Sequence, residues 1–144
     1  MKLSVRRNHD YTISIIDSKS REISFRDIRG SDLEYLDSVL GSEGGEGKKE
    51  VSFDDVLTIL SLLCTRKVDF GSFPQRISVG IFKHLSENIL CNYMSKSSWL
   101  RRCYSMQNGS FVGLRAMEQV PMSKFVVMAQ IHNEAIDAIN NQQG

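Results

Sequence analysis

Hydrophobic and polar positions alternate with a period of two in the first part of the chain, which predicts β-strands. The alternation covers Tyr11 to Ile16 and Glu22 to Ile28, and the polar link Asp17 to Ser20 separates the two segments. Because this link is rich in turn-forming residues, we interpret the two strands as a hairpin. Leu3 to Arg6 is a candidate third strand. A hairpin alone is only marginally stable in water, so its apolar face should pack against a helix.

After Gly30 the apolar residues recur every three or four positions, which predicts helices. Ser31 and Glu34 form a candidate capping box for a short helix, and Gly41 is expected to end that helix in a left-handed conformation. Ser52 is the candidate cap of a second helix, which should run to about Arg66. Its apolar residues leave little polar face, so this helix is expected to form the centre of the core.

The remaining sequence predicts two longer helices with short helical segments between them. The first long helix should run from about Pro74 to Met94. A short helix capped by Ser97 or Ser98 should end at Asn108 and Gly109, and another short segment is expected between Phe111 and Glu118. Pro121 should open the last helix, which is expected to fray from Asn140 onward. The predicted apolar stripe of this last helix comprises Phe125, Met128, Ala129, His132, Ile136 and Ile139.

These elements together predict an α+β fold that is mostly α, with an N-terminal β-hairpin of two or three strands packed on a compact bundle of about five helices. We expect a single domain over residues 1–144. Within it, the hairpin should occupy 1–29, the short helix 30–40 and the helical core 52–140. Residues 41–51 should form a flexible glycine-rich loop, since residues 41–50 include no apolar side chain and no phosphate-binding glycine spacing.

Composition and charge argue against several classes of protein but do not identify the function. The chain has 144 residues, 41% hydrophobic and 24% charged, as ordinary globular domains do. The net charge of +1 provides no strong field to attract nucleic acid. Three widely spaced cysteines favour reduced thiols in the cytosol. The sequence lacks both the apolar run of about 18 residues that would span a membrane and the apolar stretch of a secretory signal.

The sequence indicates no catalytic or metal site. His9, His84 and His132 each stand alone, without a second ligand at a metal-binding spacing. No Gly-x-Ser-x-Gly elbow is present, and Asp54 and Asp55 are explained by their favourable position at a helix start. We therefore expect neither an enzyme nor a bound cofactor.

A basic cluster leaves a second interpretation open. Lys96, Arg101 and Arg102 lie near Trp99 and Tyr104, a combination that can hold a nucleic-acid backbone and stack a base. A small nucleic-acid-binding or replication accessory protein is therefore the alternative function. The near-neutral total charge instead favours a solvated helix face above a buried aromatic residue.

Apolar residues are unusually frequent between residues 99 and 125, and a partner surface would explain the excess. Methionine is common on surfaces that must adapt to partners, although it is also ordinary core filler. We expect some of these residues to be accessible in the isolated chain. On that basis, replacing Phe111 and Met122 by serine should weaken assembly and leave stability nearly intact. The candidate partner-binding residues are Trp99, Phe111, Val112, Met117, Met122 and Phe125.

Several short motifs resemble those of small tail assembly proteins of tailed phages. The motifs are the strand Ile23-Ser-Phe-Arg-Asp-Ile28, the helix with Asp32-Leu33, the central helical section and the ending Met117-Glu-Gln-Val-Pro-Met-Ser-Lys-Phe125. The nearest proteins are assembly chaperones and baseplate hub components of contractile-tailed, T-even-type phages. The chain departs from that pattern after the proline, where Met122 and Ser123 replace an aromatic pair.

The resemblance implies a non-enzymatic role in building or forming a tail. The implied partners are other phage tail or baseplate proteins, and a homo-oligomer is a further form. The sequence itself predicts no membrane span, and its near-neutral charge disfavours nucleic acid as a partner. The resemblance also implies a location in the host cytoplasm during assembly, and in the virion tail or baseplate if the protein stays in the particle.

Overall fold

A computed structural model describes residues 2–41 and 51–143, in which a three-stranded antiparallel sheet precedes six α-helices. This confirms the predicted α+β, mostly α fold class, and Ser4–Arg7 is the third strand. The strands are β1 (Ser4–Arg7), β2 (Thr12–Ile16) and β3 (Glu22–Arg26), in that spatial order. The helices are α1 (Leu33–Leu40), α2 (Phe53–Leu63), α3 (Gln75–Asn88), α4 (Lys96–Met106), α5 (Leu114–Glu118) and α6 (Met122–Gln143).

The sheet turns one apolar face to the helices, as the alternation predicts. Ile13 pairs with Phe25 and Ile15 with Ile23, and Ile13, Ile15 and Phe25 are buried. Phe25 stacks on Phe70 with ring centroids 5.9 Å apart. The same hydrophobic cluster includes residues of α1, α2, α3, α4 and α6. The sheet is thus stabilised by burial against the helices.

The central helix α2 ends at Leu63, three residues before the predicted end at Arg66. The reason is that the chain beyond Leu63 joins the sheet. Cys64 forms an antiparallel bridge with Phe25, and the Thr65 amide donates to the Ser24 carbonyl at 3.0 Å. Ser52 caps α2 as expected, since its hydroxyl oxygen accepts a hydrogen bond from the Asp55 amide.

The start of α1 differs from the predicted capping box. A 3-10 turn at Gly30–Asp32 precedes the helix, and Ser31 is exposed. The Asp32 carboxylate replaces it: this group accepts hydrogen bonds from the Arg29 amide at 2.9 Å and from both terminal nitrogens of Arg26. Gly41, predicted to be left-handed, is extended with φ −70°. Of the predicted glycine-rich loop at 41–51, residues 42–50 lie outside the described residues.

The predicted helix from Pro74 to Met94 is shorter in the structure, because α3 ends at Asn88 and a 3-10 turn follows at Leu90–Asn92. Asp37 of α1 holds this connection. Its carboxylate accepts a hydrogen bond from the Tyr93 hydroxyl and another from the Lys96 amide at 3.0 Å. The cap of α4 is Ser95, not Ser97 or Ser98, since its hydroxyl oxygen accepts from the Ser98 amide.

The last helix begins after Pro121, as predicted, but it does not fray at Asn140 and continues to Gln143. Its first turn is fixed to the segment before α1. The Met122 amide donates to the Ile28 carbonyl at 2.7 Å, and the buried Asp27 carboxylate accepts from the Ser123 amide and hydroxyl. Among the described residues, no helix combines the length and the apolar character that crossing a membrane requires.

Candidate protein-binding site

Three apolar side chains are exposed together where the chain passes from α4 to α5, and we call them the aromatic surface: Tyr104, Phe111 and Val112. Val112 is 95% exposed, and the two rings are about half exposed. The Phe111 ring lies against that of Tyr104, with centroids 5.1 Å apart and an interplanar angle of 43°. Two exposed rings and an exposed valine at one place form an apolar contact surface.

The turn between α4 and α5 fixes the position of this surface. Asn108 and Gly109 both adopt positive φ angles, which reverse the chain direction. The Gly109 amide then donates to the Tyr104 carbonyl at 2.8 Å, and the Gln107 side chain accepts from the Gly113 amide at 2.9 Å. These bonds close the turn, so Phe111 and Val112 are presented on a defined backbone.

Basic side chains lie beside the aromatic surface. A shallow depression there is lined by Lys96, Ser97, Leu100, Arg101, Tyr104 and Phe111. Lys96 Nζ forms an exposed ion pair with Glu34 Oε2 at 3.5 Å. Arg101 and Arg102 are exposed, and within the described part of the chain neither forms an ion pair. The structure therefore places two of the three predicted basic residues, Lys96 and Arg101, beside Tyr104 and Phe111, and Trp99 is not exposed there. Arg102 lines a separate hollow with Ser105 and His132.

Three of the six candidate partner-binding residues are core residues instead. Trp99, Met122 and Phe125 are at most 1% exposed, and the Trp99 and Phe125 rings are 5.8 Å apart. Met122 and Phe125 are therefore not among the accessible residues that the sequence led us to expect, and Trp99 is equally inaccessible. They lie on the inner sides of α4 and α6, in the same buried cluster as Ile28.

Met117 is half-buried and packs against the core, while Phe111 and Val112 are accessible as expected. The double substitution of Phe111 and Met122 would consequently disturb the core through Met122. Phe111 and Val112 are the pair that tests the surface alone.

The described residues contain no group of three or more histidine, cysteine, aspartate and glutamate side chains placed to hold a metal ion. His9 is exposed, His84 is half-buried, and His132 forms a hydrogen bond with Ser105 at 3.2 Å. Burial, together with the charge of Glu118, raises the pKa of the Cys103 thiol to about 11. A thiol with a raised pKa is a poor nucleophile, so Cys103 serves packing.

Two further surfaces were not identified from the sequence. One is a groove between the sheet and the start of α3, where arginines from three separate segments converge. The other is the second half of α6, whose Ile136 and Ile139 belong to the predicted core stripe but are exposed. Periodicity assigns a residue to one face of a helix, but it does not show how far along the helix that face is covered by the rest of the protein.

The chain matches no family model, no curated protein and no solved structure.

Proposed function

We propose that this chain is a non-enzymatic protein that acts through contacts with other proteins during the building of a phage tail or baseplate. The observation that carries the binding role is the aromatic surface, because Tyr104 near the end of α4 is exposed together with Phe111 and Val112, which follow the closed turn. The phage setting is supported by the short motifs that resemble tail assembly proteins, in the strand that includes Phe25 and the turn around Pro121.

The chemistry of the aromatic surface fits a protein partner. Large aromatic side chains dominate the binding energy of protein interfaces, and arginine is enriched beside them. Here Arg101 lines the same depression as Tyr104 and Phe111. A partner that covers the two rings would remove apolar area from water without disturbing the fold, since neither side chain belongs to the buried core.

The experiment combines the substitutions Phe111→Ser and Val112→Ser in the full chain. The chain is co-expressed in turn with each tail or baseplate protein of the same phage, and stable pairs are identified by co-purification. We expect at least one specific pair, weakened about 30-fold or more by the double substitution, which corresponds to roughly 2 kcal/mol. The melting temperature should stay nearly unchanged.

A matched control is Val79→Ser, because Val79 is an exposed apolar residue on α3, outside the aromatic surface. This variant should bind its partner as the unsubstituted chain does. If no tail or baseplate protein binds, or if the Phe111 and Val112 substitutions leave binding intact, the proposal is wrong.

Nucleic-acid binding is a second candidate, favoured by the exposed Arg101 beside two exposed rings and by the exposed Arg102 that follows it in the chain. Neutralisation of several phosphates would make the affinity fall steeply with salt, with a slope of about −0.9 per phosphate on duplex DNA. Micromolar binding to random-sequence DNA that is lost in the Arg101→Ala, Arg102→Ala variant would support this candidate over the first.

A further inference from the structure

The second half of α6 (residues 130–142) is an amphipathic helix. His132, near its start, forms a hydrogen bond with Ser105 of α4, and every residue from Asn133 to Gln142 is exposed. Ile131, Ile136 and Ile139 are 60%, 37% and 54% exposed. At about 100° per residue, these three lie on one side of the helix with the exposed Ala135 and Ala138, and the polar His132 and Gln142 fall on the same side. The other side carries Gln130, Asn133, Glu134, Asp137, Asn140 and Asn141.

This half of α6 is acidic as well as apolar. It includes Glu134 and Asp137, both exposed, and residues 130–142 contain neither lysine nor arginine. Its partner surface should therefore combine apolar side chains with positive charge.

Such a surface exists elsewhere on the same chain, in a groove of about 330 Å³ between the sheet and the first turns of α3. We call it the arginine groove. Its floor is apolar, with Ile15 and Ile81 buried and Ile23 and Ile77 half-buried. Its other apolar lining residues are Leu3, Val68, Phe73 and Pro74.

Positive charge dominates the rim of the arginine groove, where Arg21, Arg66 and Arg76 face a single acid, Asp17. Asp17 pairs with Arg21 at 2.7 Å. Arg66 donates to the Glu22 carbonyl, and Arg76 has no ion pair within the described part of the chain. Two guanidinium groups thus remain available to an acidic ligand.

We propose that the second half of α6 of one copy binds in the arginine groove of another copy. The isoleucines of the helix would contact the apolar floor, and Glu134, the acid nearer to the isoleucine side, would approach Arg66 or Arg76 at the rim. Asp137 lies on the far side of the helix and adds to its negative charge. The hollow beside Arg101 and Arg102 fits this helix less well, because its volume is only about 130 Å³ and it is lined mostly by polar residues.

The contact joins two different surfaces, so each copy keeps one free helix and one free groove. A head-to-tail contact of this kind generates a ring if the rotation closes, and an open filament if it does not. The inference does not depend on the aromatic surface, which remains free for a different partner.

The test uses two double variants of the full chain. The groove variant is Arg66→Glu with Arg76→Glu, and the helix variant is Ile136→Ser with Ile139→Ser. All four side chains are exposed, so both variants should keep the circular dichroism spectrum and melting temperature of the unsubstituted chain. Sedimentation velocity over a range of concentrations should show assemblies larger than a dimer for the unsubstituted chain. Each variant alone should remain monomeric at concentrations where the unsubstituted chain assembles, because its apparent Kd for self-association should be raised about tenfold or more.

Mixing the two variants gives the decisive result. The groove variant retains an intact helix and the helix variant an intact groove, so the mixture should form a one-to-one heterodimer and nothing larger. A symmetric contact between two α6 helices predicts no heterodimer, since one helix of the pair is disabled.

The matched control is Arg101→Glu with Arg102→Glu, which changes the charge equally outside the arginine groove. It should assemble as the unsubstituted chain does. The proposal is overturned if this control abolishes assembly, if the mixture stays monomeric, or if the unsubstituted chain is monomeric throughout.

Discussion

At residue 30 the structure has room only for hydrogen. A Cβ atom on Gly30 would lie between 2.3 and 2.8 Å from three atoms of the Trp99 indole ring. Trp99 is fully buried and packs on Phe125, so the ring cannot move away without disturbing α6. The smallest residue and the largest side chain of the core therefore form one contact.

The substitution Gly30→Ala should lower the free energy of unfolding by about 2 kcal/mol or more, because overpacking forces the ring or the backbone to shift. The control is Gly80→Ala in α3, where the nearest atom to a new Cβ is Leu3 Cδ1 at 3.4 Å. There the higher helix propensity of alanine should raise stability by about 0.5–1 kcal/mol. Urea unfolding of both variants measures the two values; equal effects would contradict the assigned packing.

Cys103 should make stability depend on alkaline pH. The fold raises its pKa from 9.0 to about 11, so above pH 9 the unfolded chain releases a proton that the folded chain retains. The free energy of unfolding therefore falls as the pH rises from about 9 to 11. In Cys103→Ala this contribution is absent, and the stability of that variant should decline less over the same range. Urea titrations at pH 8, 9, 10 and 11 make the comparison, and parallel declines would show that Cys103 does not contribute.

At the scale of elements, the helices could be predicted but several of their ends could not. Apolar periodicity is local information, and it located each of the helices from α1 to α6. The ends depend on distant partners: Thr65 leaves the helical path to pair with Ser24, and Tyr93 bonds to Asp37. A cap also needs one hydroxyl in the right place, and the sequence around α4 offers three serines, of which Ser95 is used.

The candidate site could also be predicted only in part from the sequence. Phe111 and Val112 could be expected at the surface because they follow a turn marked by Asn108 and Gly109. Met122 and Phe125 share the first turn of a helix whose inner face is decided by Ile28 and Trp99, which are far away in sequence. The arginine groove joins Arg21, Arg66 and Arg76 from three segments, so only the tertiary structure reveals it.

The two halves of α6 should respond differently to truncation. Phe125→Ala removes a fully buried ring and should cost about 3–5 kcal/mol. Ile139→Ala removes a side chain that is 54% exposed, and the free energy of unfolding should change by less than about 0.5 kcal/mol. Thermal and urea unfolding at low protein concentration measure both effects. A large loss for Ile139→Ala would mean that this half of the helix is covered in the isolated chain.

At the scale of the whole molecule, one buried cluster includes residues from the sheet and from five helices. Phe25 in β3 packs on Phe70, which lies before α3. Trp99 in α4 packs on Phe125 in α6. The strands cannot bury Ile13 and Ile15 without the helices, and a short sheet alone is marginal in water. Both parts should therefore depend on each other for stability.

We expect the chain to unfold as one cooperative unit, as the prediction of a single domain over residues 1–144 requires. Trp99, the only tryptophan, reports on the contact between α4 and α6 by fluorescence, and far-ultraviolet circular dichroism reports on all elements. The two urea transitions should coincide. Phe25→Ala removes a fully buried ring of the sheet and should lower the free energy of unfolding by about 3–5 kcal/mol. The Trp99 transition should report this loss as a lower urea midpoint, although the ring partner of Phe25 is Phe70 and not Trp99. If the Trp99 fluorescence midpoint is unchanged by this substitution, or if it differs from the circular dichroism midpoint, the chain consists of parts that fold independently.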